Sequence, residues 1–205
     1  MGSTSLRRWV WLGGLTLTVA ALTLGALTAG RSADPGAAAP SFRLLDQDGL
    51  PFGRERLEGG WSLIFFGYTH CPDVCPITLQ LAREAREHLT QVSRVAPPQL
   101  IFVSLDPEQD TPEVVKSYLQ RFDPSFLGAT GSSDEVARLE EWLASAHWRG
   151  RTDASGNARI DHGAYLYVVD PQARAAGRIE GIGEPAALAE RIRSATTTDR
   201  VAARP

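Results

Sequence analysis

The sequence predicts an α/β fold, in which a central mixed sheet is flanked by helices and begins with an N-terminal hairpin. Two observations carry this prediction. Residues 61–67 and 99–105 are continuous apolar runs, the pattern of strands that are buried on both faces. Each run is followed by a segment whose apolar residues have helical spacing. Strands that alternate with helices in this way are typical of a sheet with helices on both faces.

The first elements follow from turn residues and helix boundaries. Residues 42–46 and 50–52 flank an Asp-Gly pair, which favours a hairpin turn. The strand at residues 61–67 leads into a helix that starts near Pro72, because proline suits the first turn of a helix. That helix stops before Pro97.

Three more helices and two more strands complete the prediction. The second helix starts at residues 110–113, where a capping side chain precedes Pro112 at the first helical position. The remaining elements are, in order, a helix from residue 132, a strand over 163–169, a short strand over 178–182 and a helix over 184–192. This order matches the thioredoxin plan, in which a redox or metal-binding loop follows the first central strand.

Composition divides the chain into four segments. The 205 residues suffice for one domain of about 150 residues and an extra segment. Arg7 and Arg8 precede an uncharged stretch long enough to span a membrane, so we expect a single-pass anchor whose N-terminus is cytoplasmic and whose domain is extracytoplasmic. A cleaved signal peptide is the alternative. The expected segments are an anchor (1–30), a flexible linker (31–40), the thioredoxin-like domain (41–195) and a tail (196–205).

The charge of the chain bears on its partners. The formal net charge is −3, which is slightly negative. Domains that bind nucleic acids instead carry clustered basic residues. We therefore expect no nucleic-acid partner.

The two cysteines of the chain, Cys71 and Cys75, are its most informative residues. As a structural disulfide they would close a loop of about five residues, for a gain of only about 2 kcal/mol. A helix N-terminus lowers thiol pKa values, and we expect this for both cysteines. Such thiolates suit thiol exchange or a soft metal. Two sulfurs cannot build a four-thiolate zinc site, whereas Cu(I) accepts two thiolates and an imidazole.

A third ligand would have to be one of the four histidines. His88 lies mid-helix among charged residues, and His147 is expected at a helix end. His70 is too close to Cys71 in sequence to point easily at the same centre. His162 is the candidate, because its loop would face the cysteines in a thioredoxin-like sheet. A core or loop role for His162 stays open.

Four motifs resemble, in order, the Sco/SenC family of membrane-anchored copper chaperones. They are GYTHCPDVCP at residues 67–76, SLDPEQDTP at 104–112, DH at 161–162 and YLYVVDP at 165–171. The resemblance spans nearly the whole domain. Gly163 is a small departure, since serine or threonine is expected there.

The resemblance implies a thioredoxin-like fold and one copper ion per chain, Cu(I) or Cu(II), bound by Cys71, Cys75 and His162. It also implies a role in building the dinuclear copper centre of cytochrome c oxidase, by copper delivery or by dithiol reduction through Cys71 and Cys75 as a redox-active pair. The implied partners are the copper-bearing oxidase subunit, a copper donor and a thiol reductant. The chain would be mainly a metallochaperone, and enzymatic thiol–disulfide oxidoreductase activity stays open.

Two other functions would use the same cysteines. A thiol–disulfide oxidoreductase of the thioredoxin group needs both thiols but does not need His162. A peroxiredoxin-type peroxidase needs a hydroxyl residue, threonine or serine, three positions before its reactive cysteine, where this chain has Tyr68. His162 is therefore the residue that separates copper handling from thiol reduction.

Acidic residues near these motifs have mainly structural interpretations. Asp110 or Thr111 is expected to cap a helix, although partner docking by this segment is an alternative. Asp161 is expected to orient His162 or to cap its loop. Asp73 is favourably placed at a helix N-terminus, with a weak axial contact to Cu(II) as the alternative.

Overall fold

The computed structural model describes residues 34–92, 96–152, 158–181 and 183–197. The predicted anchor, residues 1–30, lies outside the described residues, as does most of the predicted tail. Among the residues that are described, no helix is long and apolar enough to cross a membrane.

The described residues form nine strands, four α-helices and a short 3-10 helix (Arg54–Leu57) in an α/β arrangement, which confirms the predicted fold class. The strands are β1 (Leu44–Asp46), β2 (Pro51–Phe52), β3 (Ser62–Gly67), β4 (Gln99–Ser104), β5 (Leu127–Thr130), β6 (His147–Thr152), β7 (Ala158–His162), β8 (Tyr165–Val169) and β9 (Ala175–Glu180). The helices are α1 (Val74–Val92), α2 (Pro112–Leu119), α3 (Ser133–Leu143) and α4 (Pro185–Thr196).

Seven strands build one mixed sheet in the order β2-β1-β5-β4-β3-β8-β9. The three central strands β3, β4 and β5 run parallel, whereas β1, β8 and β9 pair antiparallel. The predicted N-terminal hairpin is present as β1–β2. Its turn forms because the buried Asp46 carboxylate accepts hydrogen bonds from the backbone N–H groups of Asp48 and Leu50, each at 2.9 Å.

Helices cover both faces of this sheet. Phe65 and Phe102 face α1 and α2: Phe102 contacts Tyr118 of α2 with ring centroids 5.7 Å apart. Phe66 lies on the opposite face against Tyr167, which in turn hydrogen-bonds Ser145 just after α3. The apolar core therefore lies in two layers, and α1 packs along α4 on the same side of the sheet.

Helix α1 is amphipathic, and its buried residues recur every three or four positions: Cys75, Thr78, Leu79, Ala82, Ala85 and Leu89. This spacing places one face of the helix on the sheet. Cys75 belongs to that buried face, at the end of α1 that lies nearest the carboxyl end of β3.

Strands β6 and β7 form a separate antiparallel hairpin. The sequence pattern does not predict this hairpin. The prediction that His147 lies at a helix end is wrong, since His147 opens β6. Strand β5 was not predicted either. Its Gly128 interrupts the apolar pattern, because a side chain there would collide with Val115 of α2.

Part of the predicted flexible linker is tied to the domain. The backbone N–H of Gly36 donates to the carbonyl of Ala175 at 2.7 Å, and that of Ala39 donates to the carbonyl of Ala173 at 2.7 Å. The indole of Trp142 also donates to the Ala37 carbonyl at 3.0 Å. Ordered packing therefore begins before residue 41, at the end of the sheet opposite the cysteines.

Candidate metal centre

The two cysteines lie where β3 passes into α1. Strand β3 ends at Gly67, residues 68–73 form a loop that we call the cysteine loop, and α1 begins at Val74. A turn closes the loop, with the Cys71 N–H donating to the carbonyl of Tyr68 at 3.2 Å. A Cβ atom at Gly67 would lie 2.8 Å from the Cys75 sulfur. Glycine at the strand end therefore allows Cys75 to approach the sheet.

The structure brings together the three residues that the resemblance implied. One ligand atom from each of Cys71, Cys75 and His162 lies within 4.8 Å of the other two. The Cys75 Sγ and His162 Nε2 atoms are 3.1 Å apart, and both cysteines are free thiols. Two sulfurs and one imidazole nitrogen thus converge on a single point, which is a donor set that fits a soft metal ion.

His162 is held so that one ring nitrogen faces the thiols. It is the last residue of β7, and its Nδ1 lies 3.3 Å from the Gly163 carbonyl oxygen. Donation of Nδ1–H to that oxygen would leave Nε2 with a free lone pair toward Cys75. The ring also makes edge contacts with Phe65 and Tyr68, each with centroids 5.9 Å apart. The imidazole therefore has a fixed position.

Within the described residues, the carboxylate of Asp161 does not contact His162, so the prediction that Asp161 orients His162 is wrong. The Asp161 carboxylate lies 3.5 Å from the guanidinium of Arg159, and both side chains are exposed. The backbone carbonyl of Gly163 takes the orienting position instead. This contact is made by the backbone and needs no side chain at residue 163, where a Cβ atom would lie 2.5 Å from the Tyr165 ring.

The two thiols differ in acidity. The pKa of Cys71 is lowered to about 3, chiefly because the Cys75 thiol donates a hydrogen bond to its sulfur, with burial opposing and His162 adding to the effect. The pKa of Cys75 is raised, because its proton is held by the Cys71 sulfur and because it is buried. The expectation of a lowered pKa therefore holds for Cys71 and is wrong for Cys75.

This asymmetry predicts the pH dependence of alkylation in the reduced, metal-free chain. Cys71 is 8% exposed and Cys75 is 0% exposed, so iodoacetamide should modify Cys71 first. A free cysteine with a pKa near 8.5 reacts about ten times more slowly for each pH unit below that value, because only the thiolate reacts. Cys71 should instead react at a nearly constant rate between about pH 5 and pH 8. Mass spectrometry of time-quenched samples gives the rates.

The Cys75→Ala variant tests the cause of the low pKa. Alanine removes the thiol whose hydrogen bond contributes most to the lowered pKa of Cys71. The pH profile of Cys71 alkylation should therefore move to higher pH in this variant. A Cys71 rate that rises steeply between pH 5 and pH 8 in the unsubstituted chain would contradict the assignment.

The other three histidines lie outside this cluster. His88 is exposed on α1, as expected. His147 contacts the buried Glu140 carboxylate, with Nδ1 2.8 Å from Oε1. His70 has its Nε2 3.2 Å from Asp106 and its Nδ1 4.0 Å from Asp110. Its side chain therefore faces two buried carboxylates beneath the cysteine loop.

Asp110 has a role that the sequence motifs do not predict. Thr111 caps α2, so Asp110 is free to hold the cysteine loop. Its carboxylate accepts from the Thr69 N–H at 3.0 Å, from the Thr69 hydroxyl at 2.5 Å and from the Ser104 hydroxyl at 2.6 Å. Burial raises the Asp110 pKa, which these hydrogen bonds oppose. The spacing of Asp110 from the end of β4 could have indicated a loop contact, but it could not identify the loop.

Comparison with known proteins agrees with this geometry. A family model described as SCO1/SenC matches residues 30–197. The SCO2-like protein of Rickettsia prowazekii is 36% identical over 134 residues, which are 65% of this chain and 64% of that protein. The chain thus covers a little less than two thirds of that relative.

Two solved structures with copper bound have the same fold. ScoI of Bradyrhizobium japonicum is 33% identical, with a TM-score of 0.67 over 77% of this chain and 99% of that one. ScoI of Arabidopsis thaliana is 27% identical, with a TM-score of 0.72 over 78% of this chain and 98% of that one. The family match over most of its length shows that this chain belongs to the SCO1/SenC family.

Proposed function

We propose that the chain binds one copper ion through Cys71, Cys75 and His162 and helps to assemble the dinuclear copper centre of cytochrome c oxidase. The observation that carries the proposal is the convergence of two free thiols and one imidazole within 4.8 Å. Thiolates and imidazole favour copper over hard cations, and two thiolates favour Cu(I). Copper would be the cargo of such a protein, received from a copper donor and passed to the oxidase subunit that holds the centre.

Dithiol chemistry at the same pair supports a second contribution to assembly. Cys71 and Cys75 can together give up two electrons and two protons and close a disulfide. A disulfide between the copper-binding cysteines of the oxidase subunit would accept those electrons and protons and open to two thiols. A thiol reductant would then restore the pair, because copper binding requires reduced sulfurs.

A thiol–disulfide oxidoreductase without a copper role is the second candidate. The favouring observation is the asymmetry of the pair, in which a partly accessible Cys71 of low pKa lies beside a fully buried Cys75. An attacking thiolate with a protonated neighbour suits disulfide exchange. This candidate gives no role to His162, although His162 faces the thiols at 3.1 Å.

Copper analysis of the purified full chain separates the two candidates. The reduced chain should retain one copper ion per molecule after gel filtration, and the chain with its cysteines oxidised to a disulfide should retain none. A reduced chain that retains no copper but exchanges disulfides would favour the oxidoreductase.

We further propose that residues 1–30 anchor the domain on the extracytoplasmic side of the cytoplasmic membrane. Arg7 and Arg8 precede the apolar stretch, and positive charges stay in the cytoplasm. A reporter fused after Pro205 should therefore be active only if it is a type that works outside the cytoplasm. Activity of a cytoplasmic reporter at the same position would contradict this topology and the expected exposure of the thiols to an oxidising compartment.

A further inference from the structure

The β6–β7 hairpin, which carries His162, is not part of the seven-stranded sheet. Within the described residues, no backbone hydrogen bond joins this hairpin to the main sheet, although Cys71 and Cys75 are both fixed to that sheet through β3 and α1. His162 is joined to the main sheet by the short link to β8, where the Ala164 carbonyl accepts from the Gly181 N–H at 2.7 Å, and its ring contacts Phe65 and Tyr68. The distance between His162 and the thiols also depends on the side-chain contacts that hold the rest of the hairpin in place.

One of these contacts is an ion pair between β6 and the end of β4. The Arg149 guanidinium on β6 donates to the Asp106 carboxylate, with Nη2 2.9 Å from Oδ1. The same nitrogen donates to the Leu105 carbonyl at 3.3 Å. The Asp106 side chain is 1% exposed and that of Arg149 is 39% exposed. A buried carboxylate without a partner is unfavourable, so Asp106 holds Arg149 more firmly than an exposed acid would.

Asp106 also contacts the cysteine loop. Its second oxygen, Oδ2, lies 3.2 Å from Nε2 of His70. His70 precedes Cys71, and its ring packs on Tyr68 with centroids 4.9 Å apart. The carboxylate of Asp106 therefore touches the hairpin with one oxygen and the cysteine loop with the other.

We infer that Arg149 is a positioning residue of the metal centre: through Asp106 it fixes the hairpin, and with it His162, relative to Cys71 and Cys75. This inference rests on the proposed function of the three ligands. Arg149 lies two positions along β6 from His147, the cross-strand partner of His162, and Arg149 itself pairs with Ile160 of β7. A displacement of β6 at Arg149 is therefore transmitted directly to β7.

A second contact of the hairpin, between His147 and Glu140, limits the effect of losing the ion pair between Arg149 and Asp106. His147, also on β6, contacts the buried Glu140 of α3 with 2.8 Å between Nδ1 and Oε1. The buried side chain of Ile160 adds apolar packing on β7. Loss of Arg149 should therefore loosen the hairpin on the side of the cysteine loop without unfolding the domain.

The test measures hairpin mobility in the copper-free chain and copper binding in the same variants. In full-length Arg149→Ala, hydrogen exchange of the β7 amides should accelerate about tenfold or more. Cu(II) affinity should fall about 10- to 100-fold, the range seen when a group that orients a metal ligand is removed. The thiolate-to-Cu(II) absorption band should shift or weaken. Arg149→Lys should be intermediate, because lysine keeps the charge but lacks the planar fork.

Arg159→Ala is the matched control, since Arg159 lies on the same hairpin with its side chain 82% exposed. In this variant, the hydrogen-exchange rates of the β7 amides and the Cu(II) affinity should stay within about twofold of the values for the unsubstituted chain. Unchanged β7 exchange in Arg149→Ala would overturn the inference.

The double variant Arg149→Ala/Asp106→Asn separates positioning from global stability. The asparagine removes the buried charge of Asp106, which Arg149→Ala leaves without its partner. The unfolding midpoint of the double variant should therefore recover relative to Arg149→Ala, while hydrogen exchange of the β7 amides stays fast. If both the unfolding midpoint and the β7 exchange rate returned to the values of the unsubstituted chain, Arg149 would have a merely structural role and the inference would be overturned. If the unsubstituted chain held no copper, the proposed function would fail, and β7 exchange would still decide whether Arg149 fixes His162.

Discussion

Replacing either Cys71 or Cys75 by serine should abolish tight copper binding by the reduced chain. The two thiolates provide most of the affinity for a soft ion, and a serine hydroxyl is a hard, protonated group at neutral pH. The loss should exceed the roughly 100-fold that follows removal of a group that only orients a ligand. Competition with a Cu(I) chelator of known affinity measures it, together with copper content after gel filtration.

The two serine variants should be equivalent in this assay, although the two thiols differ in acidity and exposure. Copper would replace the proton that Cys71 and Cys75 share, so both sulfurs would become ligands irrespective of their pKa values in the free chain. Ala82→Ser is the matched control, because it also places a hydroxyl on the buried face of α1. If either cysteine variant kept full stoichiometry and affinity, the two-thiolate site would be wrong.

The cysteine loop could be predicted from the sequence because its determinants are local. An apolar strand, a glycine and a proline at the start of a helix define the turn that carries Cys71 and Cys75. Gly67 has in addition a tertiary reason, since any side chain there would meet Cys75 and Phe102. The sequence marks the glycine, but only the structure shows what approaches it.

The surroundings of His162 could not be predicted in the same way. Strand β6 has the sequence HWRGRT, in which the apolar residue Trp148 is 73% exposed, so it lacks the apolar alternation of a half-buried strand. The side chains of His147 and Arg149 are directed by partners far away in sequence, namely Glu140 of α3 and Asp106 after β4. Ion pairs between distant segments leave no periodic pattern, so the position of His162 near the thiols could be predicted only from the thioredoxin-like topology and the family resemblance, and not from these contacts.

His162 carries the distinction between copper handling and thiol exchange. Two thiolates alone can hold Cu(I) in a two-coordinate site, whereas Cu(II) requires more ligands, of which imidazole is a suitable one. Thiol exchange requires only Cys71 and Cys75. A substitution that removes the imidazole should therefore separate the two activities, provided that the fold survives. His162 ends β7 and its ring packs only at the edges of Phe65 and Tyr68, so the fold should tolerate its loss.

His162→Ala should accordingly lose the thiolate-to-Cu(II) band and bind Cu(II) far more weakly, by more than about 100-fold. Its Cu(I) affinity should fall less, and the cysteine pair should still cycle between dithiol and disulfide. Visible absorption, copper competition and thiol titration give the three readouts, and oxidase activity in cells that carry the variant shows whether assembly depends on the imidazole. His88→Ala, at an exposed position of α1, should match the unsubstituted chain throughout. Should both the band and oxidase assembly survive in His162→Ala, His162 would not be a ligand, and thiol–disulfide exchange would become the better account of this chain.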